Sequence, residues 1–325
     1  MLRVENGRFR NLHPHPAHGF RDLLRWKLGF GTKDRPLVDR SIVPRYRPDV
    51  CMLDRARIDR PSRKHIQLTW IGHSTFLIQV AGFNFLTDPI FGRSCAPFPS
   101  WSLRRRSPLP AKIADLQPIH AVLLSHNHYD HLELRTVRRL EREVTWFVPL
   151  GNGEWFRQRK QDNFVELDWW HETDFGPLSI VCVPAQHFSA RTPFDRNLTL
   201  WAGFVMRTPL GAIYFAGDSG YAPIFADIGA HLGPMAASII PIGAYSPRWF
   251  MAPVHMNPEE AVRVHLDVRS NFSVGSHWGT FKLTDEPMAE PPIALRHALA
   301  RRHVPATAFR TMRIGETLLV DPFPG

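Results

Sequence analysis

Between Ser125 and His131 the chain reads Ser-His-Asn-His-Tyr-Asp-His, which sets His126, His128, His131 and the carboxylate of Asp130 within six positions. Crowding this many ionisable groups is costly unless something cationic shares the site. Neutral imidazole and carboxylate are a ligand set that zinc accepts. In an extended segment His126 and His128 point the same way, and a turn can bring Asp130 and His131 to a second metal beside the first. One ion takes about four ligands, so a pair needs donors from elsewhere. Three candidates sit where an apolar run gives way to a loop, the usual place for a site. They are His187 after Val181-Cys-Val183, Asp218 after Tyr214-Phe-Ala216, and His277 after Val274-Gly275. A lone histidine is most simply a surface residue, but the full His-x-His-x-Asp-His string directly after an apolar run is far more specific.

Elements that would position these groups are legible around them. His65–Trp70, Ser74–Val80 and Phe83–Thr87 read as three successive strands broken by Gly72 and by the Ala81-Gly82 turn. His120–Ser125 suits a short buried strand, and a helical stretch is expected over Leu132–Glu143. Trp146–Leu150, Leu178–Val183, Ser238–Pro241 and Asn271–Gly275 read as further strands, and Leu200–Met206 with Ala212–Ala216 as a hairpin around Thr208–Gly211. Asn257-Pro-Glu-Glu260 starts a helix well: an N-cap asparagine, a proline in the first turn, and acids at the positive end of the dipole. Strands in runs with intervening helices point to an α/β sandwich rather than one doubly wound sheet.

The first 60 residues read differently, as a basic, proline-rich N-terminal arm before a domain spanning 61–325. Phe20–Phe30 forms a candidate amphipathic helix, with Leu23, Leu24, Trp26 and Leu28 among basic residues. Such a helix either packs back on the domain, the expected outcome, or lies on an anionic bilayer. His13-Pro-His15-Pro-Ala-His18 resembles a metal tract in composition only and is expected to be disordered. The three cysteines are odd in number and widely spaced, which fits a reducing compartment and excludes a disulfide framework. No stretch approaches the ~18 apolar residues of a membrane span, and the N-terminus has no signal-like apolar region. A cytoplasmic protein, at most peripheral to a membrane, is expected. The net charge of +10, mostly arginine, favours an anionic partner.

Taken together, these stretches resemble the metallo-β-lactamase superfamily, and within it the group containing N-acyl-phosphatidylethanolamine-hydrolysing phospholipase D. The resemblance rests on His126-x-His128-x-Asp130-His131 followed in order by His187, Asp218 and His277. It extends to Trp70-Ile-Gly-His-Ser-Thr75, Leu86-Thr-Asp-Pro-Ile90, Glu166-Leu-Asp-Trp-Trp170, Ile240-Pro-Ile-Gly-Ala-Tyr245, Pro247-Arg-Trp-Phe-Met251 and His277-Trp-Gly-Thr280. It implies an αββα sandwich of two mixed sheets flanked by helices, with two zinc ions as cofactors and manganese or iron as alternatives. One zinc would sit on His126, His128 and His187 and the other on Asp130, His131 and His277, with Asp218 bridging. A hydroxide between two such cations is a nucleophile at neutral pH. Di-iron relatives carry a glutamate where this chain has His128, so the histidine favours a hydrolytic zinc site.

The same resemblance assigns catalytic roles to Asp130, Asp218 and His255, the last for holding the phosphate or protonating the leaving group. It makes Asp88 a carboxylate that orients a ligand histidine, and places His73 beside the metals or the substrate. Arg104-Arg-Arg106 and Arg248 are candidate anion contacts. The function implied is a zinc phosphodiesterase of the phospholipase D type acting on N-acyl-phosphatidylethanolamine-like lipids. A lactonase or esterase acting on a phosphorylated small molecule is the alternative. A nuclease is less favoured, because no strand-clamping insertion is visible, so nucleic acid is not the expected partner. A phospholipid or other anionic phosphodiester, a membrane surface and a second copy of the chain are the partners implied.

Overall fold

The computed structural model describes residues 4–31, 34–97 and 100–323. A short hairpin of β1 (Val4–Glu5) and β2 (Arg8–Phe9), helix α1 (Phe20–Lys27) and helix α2 (Arg55–Asp59) precede the first large sheet. That sheet opens with the meander β3 (Ile66–Gly72), β4 (Thr75–Val80) and β5 (Phe83–Thr87). It continues with β6 (Ala121–Leu123), α3 (Leu134–Val137), β7 (Thr145–Pro149), α4 (Gly153–Arg157) and β8 (Phe164–Leu167). The second half comprises β9 (Glu172–Phe175), β10 (Leu178–Val183), β11 (Gly203–Arg207), β12 (Ala212–Phe215), α5 (Ile224–Leu232) and β13 (Met235–Pro241). It ends with α6 (Arg248–Met251), α7 (Pro258–Asp267), β14 (Ser273–Ser276), α8 (Glu290–Arg301), β15 (Phe309–Arg310) and β16 (Thr317–Val320).

The strands form two seven-stranded sheets of matching design. One runs β16-β3-β4-β5-β6-β7-β8 and the other β15-β14-β13-β12-β11-β10-β9. In the first, β16 through β5 pair antiparallel and β5 through β8 parallel. In the second, β9 through β12 are antiparallel and β12 through β15 parallel. Period-two alternation explains the layering. Ile66, Leu68, Trp70, Phe76, Ile78, Phe204 and Phe215 fill the space between the sheets. Their outward neighbours Ile71, Leu77, Leu86, Val122 and Trp146 pack under the helices and loops of the first half. Val181, Tyr214 and Ile240 pack under α5, α7 and α8 on the other side. Both faces of each sheet are covered, which is why β3, β4 and β13 read as nearly unbroken buried runs. The αββα sandwich is thereby established.

Three local expectations change. The helix over Leu132–Glu143 shrinks to one turn, because Thr145 must pair its N–H with His120 O to start β7 and that pairing overrides the helical pattern. Residues 9–13 are not loose: Phe9 N–H donates to Asn197 O, and Gln186 donates to His13 O. Helix α1 buries none of its residues. Trp26 stacks on Phe250 and donates to Asp285, but Phe20, Leu24 and Leu28 stay exposed.

Candidate metal centre

All the implied donors lie just beyond the C-terminal ends of strands. His73 follows β3, Asp88 follows β5, and the loop carrying His126–His131 follows β6. From the other sheet, His187 follows β10, Asp218 follows β12 and His277 follows β14. The backbone turns sharply at these exits. His73, Asp88, Gly217 and His277 have φ of +54°, +33°, +61° and +61°. Non-glycine residues held there are strained, and strain of this kind gathers at functional sites. Gly217 has a second reason to be glycine: a Cβ would meet the Ser125 side chain at 2.5 Å and Ala202 O at 2.8 Å.

Asp218 stands at the centre. Its Oδ2 is 3.0 Å from His131 Nε2 and 3.1 Å from His277 Nε2, and 3.9 and 4.0 Å from His126 Nε2 and His187 Nε2. On one side, His128 Nδ1 faces His126 Nε2 at 2.8 Å and His187 Nε2 at 3.4 Å. On the other, Asp130 Oδ2 is 3.4 Å from both His131 Nε2 and His277 Nε2, and 3.0 Å from His73 Nε2. The ligand atoms of His126, His128 and His187 therefore form one group and those of His73, Asp130, His131 and His277 another, with Asp218 between.

Outer partners fix the rings. Asp88 Oδ2 is 2.6 Å from His131 Nδ1, which turns the Nε2 of that ring towards Asp218. The Asp88 carboxylate also accepts the N–H and the hydroxyl of Ser125, whose Oγ is 2.8 Å from His126 Nδ1. His187 Nδ1 is 2.8 Å from Val254 O, and the amide of Asn11 grips its backbone from both sides, at 2.7 and 3.0 Å. Ser125 belongs to the readable motif. Asn11 carries no signal, since it lies 176 positions from its partner.

The electrostatics of the two groups differ. Burial holds the His126 and His187 imidazoles well below the ordinary range and His128 at about 4. Burial opposes charge on His131 and His277 too, yet Asp218 and Asp130 outweigh it, raising His277 to about 9 and His131 well above normal. Asp130 and Asp218 are themselves buried, but the facing imidazoles hold both well below the usual carboxylate range.

The residues fit a metal pair. His131 Nε2, His277 Nε2 and Asp218 Oδ1 are buried and make no hydrogen bond of proper geometry, although buried polar atoms are normally satisfied. Imidazole nitrogens and carboxylate oxygens crowded face to face, which without a cation must hold extra protons on His131 and His277, are what a divalent cation satisfies by replacing those protons. His255 stands at the edge, its ring 5.0 Å from that of His187 and 5.4 Å from that of His277. Its Nδ1 is buried without a hydrogen-bond partner among the described residues. Burial pushes its pKa down to about 3.

The candidate anion contacts behave otherwise. Arg248 is engaged, pairing with Glu260 at 2.8 Å and donating to His255 O at 2.9 Å. Both terminal nitrogens are thus engaged, and Arg248 positions the His255 loop. Arg105 is likewise turned inwards, donating to Ile90 O and Gly92 O, and Arg104 stacks on Trp101.

Two sheets packed as a sandwich, with a histidine–aspartate site beyond their strand ends, define a metal-dependent class of protein, and comparison with known proteins agrees. Residues 83–278 match the family model described as a beta-lactamase superfamily domain. Similar folds include the isothiocyanate hydrolase of Delia radicum gut bacteria, with TM-score 0.63 and 22% identity over 79% of this chain and 100% of that one. A metallo hydrolase of Ignicoccus hospitalis follows, with TM-score 0.60 and 21% identity over 79% of this chain and 98% of that one. Among sequences, an uncharacterised protein of Mycobacterium tuberculosis is 42% identical over 76% of this chain and 68% of its own length. The N-acyl-phosphatidylethanolamine-hydrolysing phospholipase D 1 of Caenorhabditis elegans is 38% identical over 79% of this chain and 77% of its own. The chain belongs to the metallo-β-lactamase superfamily, as a metallo-hydrolase, and within it to the N-acyl-phosphatidylethanolamine-hydrolysing phospholipase D-like group.

Proposed function

We propose that the protein is a two-zinc phosphodiesterase that cleaves N-acyl-phosphatidylethanolamine-like phospholipids to a phosphatidate and an N-acyl amine. The observation that carries this reading is the pair of donor groups sharing Asp218. Two zinc ions held there would lower the pKa of water and neutralise charge on a phosphoryl oxygen. His126, His128 and His187 would hold one ion; Asp130, His131 and His277 the other. Asp88 and Ser125 keep His131 and His126 turned inwards. His255, kept neutral by burial and fixed through Arg248 and Glu260, would donate its ring N–H to the phosphoryl or leaving-group oxygen.

Access to a lipid is supported by α1. Phe20, Leu24, Leu28 and the following Phe30 are 78%, 48%, 59% and 71% exposed, with Arg21, Arg25 and Lys27 among them. This is the pattern of a helix lying on an anionic bilayer. Its Trp26 packs on Phe250 of α6, the helix that leads directly into His255.

The test is metal content measured together with hydrolysis. The purified protein should carry about two zinc equivalents and release phosphatidate from an N-acyl-phosphatidylethanolamine, read by mass spectrometry. Asp218→Ala should abolish the release and lower the bound metal. His255→Gln should keep the metal and lower kcat by about a hundredfold. Turnover of a phosphorylated lactone with no lipid hydrolysed would overturn the reading.

A further inference from the structure

Beside the His126–His131 loop, on the side reached through Tyr129, lies a cavity of about 550 Å³ whose lining includes five arginines: Arg93, Arg135, Arg138, Arg159 and Arg191. None of the five forms a side-chain ion pair among the described residues. The one carboxylate among the described lining residues, Glu133, accepts from Phe91 N–H and from the Thr136 hydroxyl, and its single charge is outnumbered by the five guanidiniums. Asp195, behind Arg191, accepts backbone N–H groups of Arg191 and Thr192. Two of the guanidiniums are fixed in place. Arg191 stacks over Tyr129 at 3.9 Å and Arg159 over Trp155 at 4.1 Å. A guanidinium stacked on a ring keeps its N–H edge free to donate in its own plane. Arg159 uses one donor on Trp155 O, while its Nε is buried and unpartnered. Burial and the neighbouring Arg138 both act against its charge. Five like charges around one concavity repel one another and weaken the fold unless an anion joins them.

We propose that this cavity is a binding site for a phosphate monoester, distinct from the metal centre and formed by Arg138, Arg159 and Arg191 with Arg93 and Arg135 at the rim. A dianionic phosphate presents three acceptor oxygens and matches the planar donor forks of arginine in pairs. The concave shape suits a small head group better than a nucleic-acid backbone. Arg191 also donates to Asn127 O at 2.6 Å and Leu132 O at 3.0 Å, so the bound anion would touch the residue that ties both ends of the histidine loop. The proposal does not depend on hydrolysis.

The test is calorimetric titration of the metal-loaded protein with inorganic phosphate, with monomeric short-chain phosphatidate, and with phosphatidylcholine vesicles with and without phosphatidate. The double variant Arg138→Gln/Arg159→Gln should weaken phosphate or phosphatidate binding by about tenfold or more, as expected for lost charge-assisted hydrogen bonds, and leave any binding at the metals in place. Arg138→Gln alone, whose side chain has no hydrogen-bond or ion-pair partner among the described residues, should show part of the effect with an unchanged melting temperature. Binding of free phosphate that the variants weaken identifies a soluble ester as the ligand, whereas a variant-sensitive response only to phosphatidate vesicles identifies a lipid. Equal affinities in wild type and both variants would overturn the site, as would a loss confined to an oligonucleotide probe. Failure of the hydrolase reading would show separately, as lipid left uncleaved by a protein that still binds phosphate.

Discussion

Asp88 shows how much of the centre is decided outside the donor set. It is fully buried, and burial pushes its carboxyl upwards while the imidazole of His131 and the donors of Ser125 pull it back. Asp88→Asn keeps the shape but removes the charge that holds the His131 ring. Metal affinity or turnover should fall by ~10–100-fold, read by competition with a chromophoric chelator, and an unchanged affinity would show that the loop alone holds His131. His73 stands in an analogous relation to Asp130 from the first sheet, within reach of the second donor group. The compact string from His126 to His131 is legible because its chemistry is contiguous. His187, Asp218 and His277 are individually ordinary: their place where an apolar run ends makes them candidates, and their order after the string, matched to a known pattern, is what groups them as one ligand set. Asn11 and Arg191 escape a sequence reading, since what they touch is settled by how the arm and the loops fold over one another.

Helix α7 follows the expected start in detail: the Asn257 side chain accepts from Glu260 N–H while Glu260 reaches back to Asn257 N–H, with Pro258 in the first turn. Local signals of this kind survive because the partners lie three residues apart. The short α3 shows the opposite case, in which strand pairing 25 residues away decides the outcome. Further along α7, His265 is buried against Phe309 with its Nδ1 2.8 Å from the Ser273 hydroxyl, and burial lowers its pKa from 6.5 to about 4. A depressed histidine favours the folded state fully above its unfolded pKa, because the unfolded chain takes up the proton first as pH falls. Stability should therefore drop as pH falls from 6.5 towards 4, by up to about 3 kcal/mol from this residue. Urea unfolding of the wild type and His265→Leu at pH 7 and pH 5 checks this. The variant, less stable at pH 7, should show the shallower dependence; parallel slopes would assign the acid sensitivity elsewhere.

For the whole molecule, charge and shape act together. The net charge of +10 is compatible with many anionic partners, and the fold sorts some of it. Arg248 and Arg105 are turned to internal contacts, whereas α1 keeps its basic residues beside exposed leucine and phenylalanine. Phe20→Glu with Leu24→Glu should cut binding to anionic vesicles by about tenfold or more and leave turnover of a water-soluble phosphodiester intact. Vesicle sedimentation at low and moderate salt provides the measurement, and unchanged sedimentation would remove α1 from any bilayer role. His126, His128, Asp130 and His131 hang from the first sheet, whereas His187, Asp218 and His277 hang from the second. Ions gripped by both would rivet the halves together along one rim, much as a staple closes a booklet. Chelation should then do more than silence hydrolysis: it should lower the melting temperature and open that rim to proteases, so that the protein's durability tracks its supply of metal.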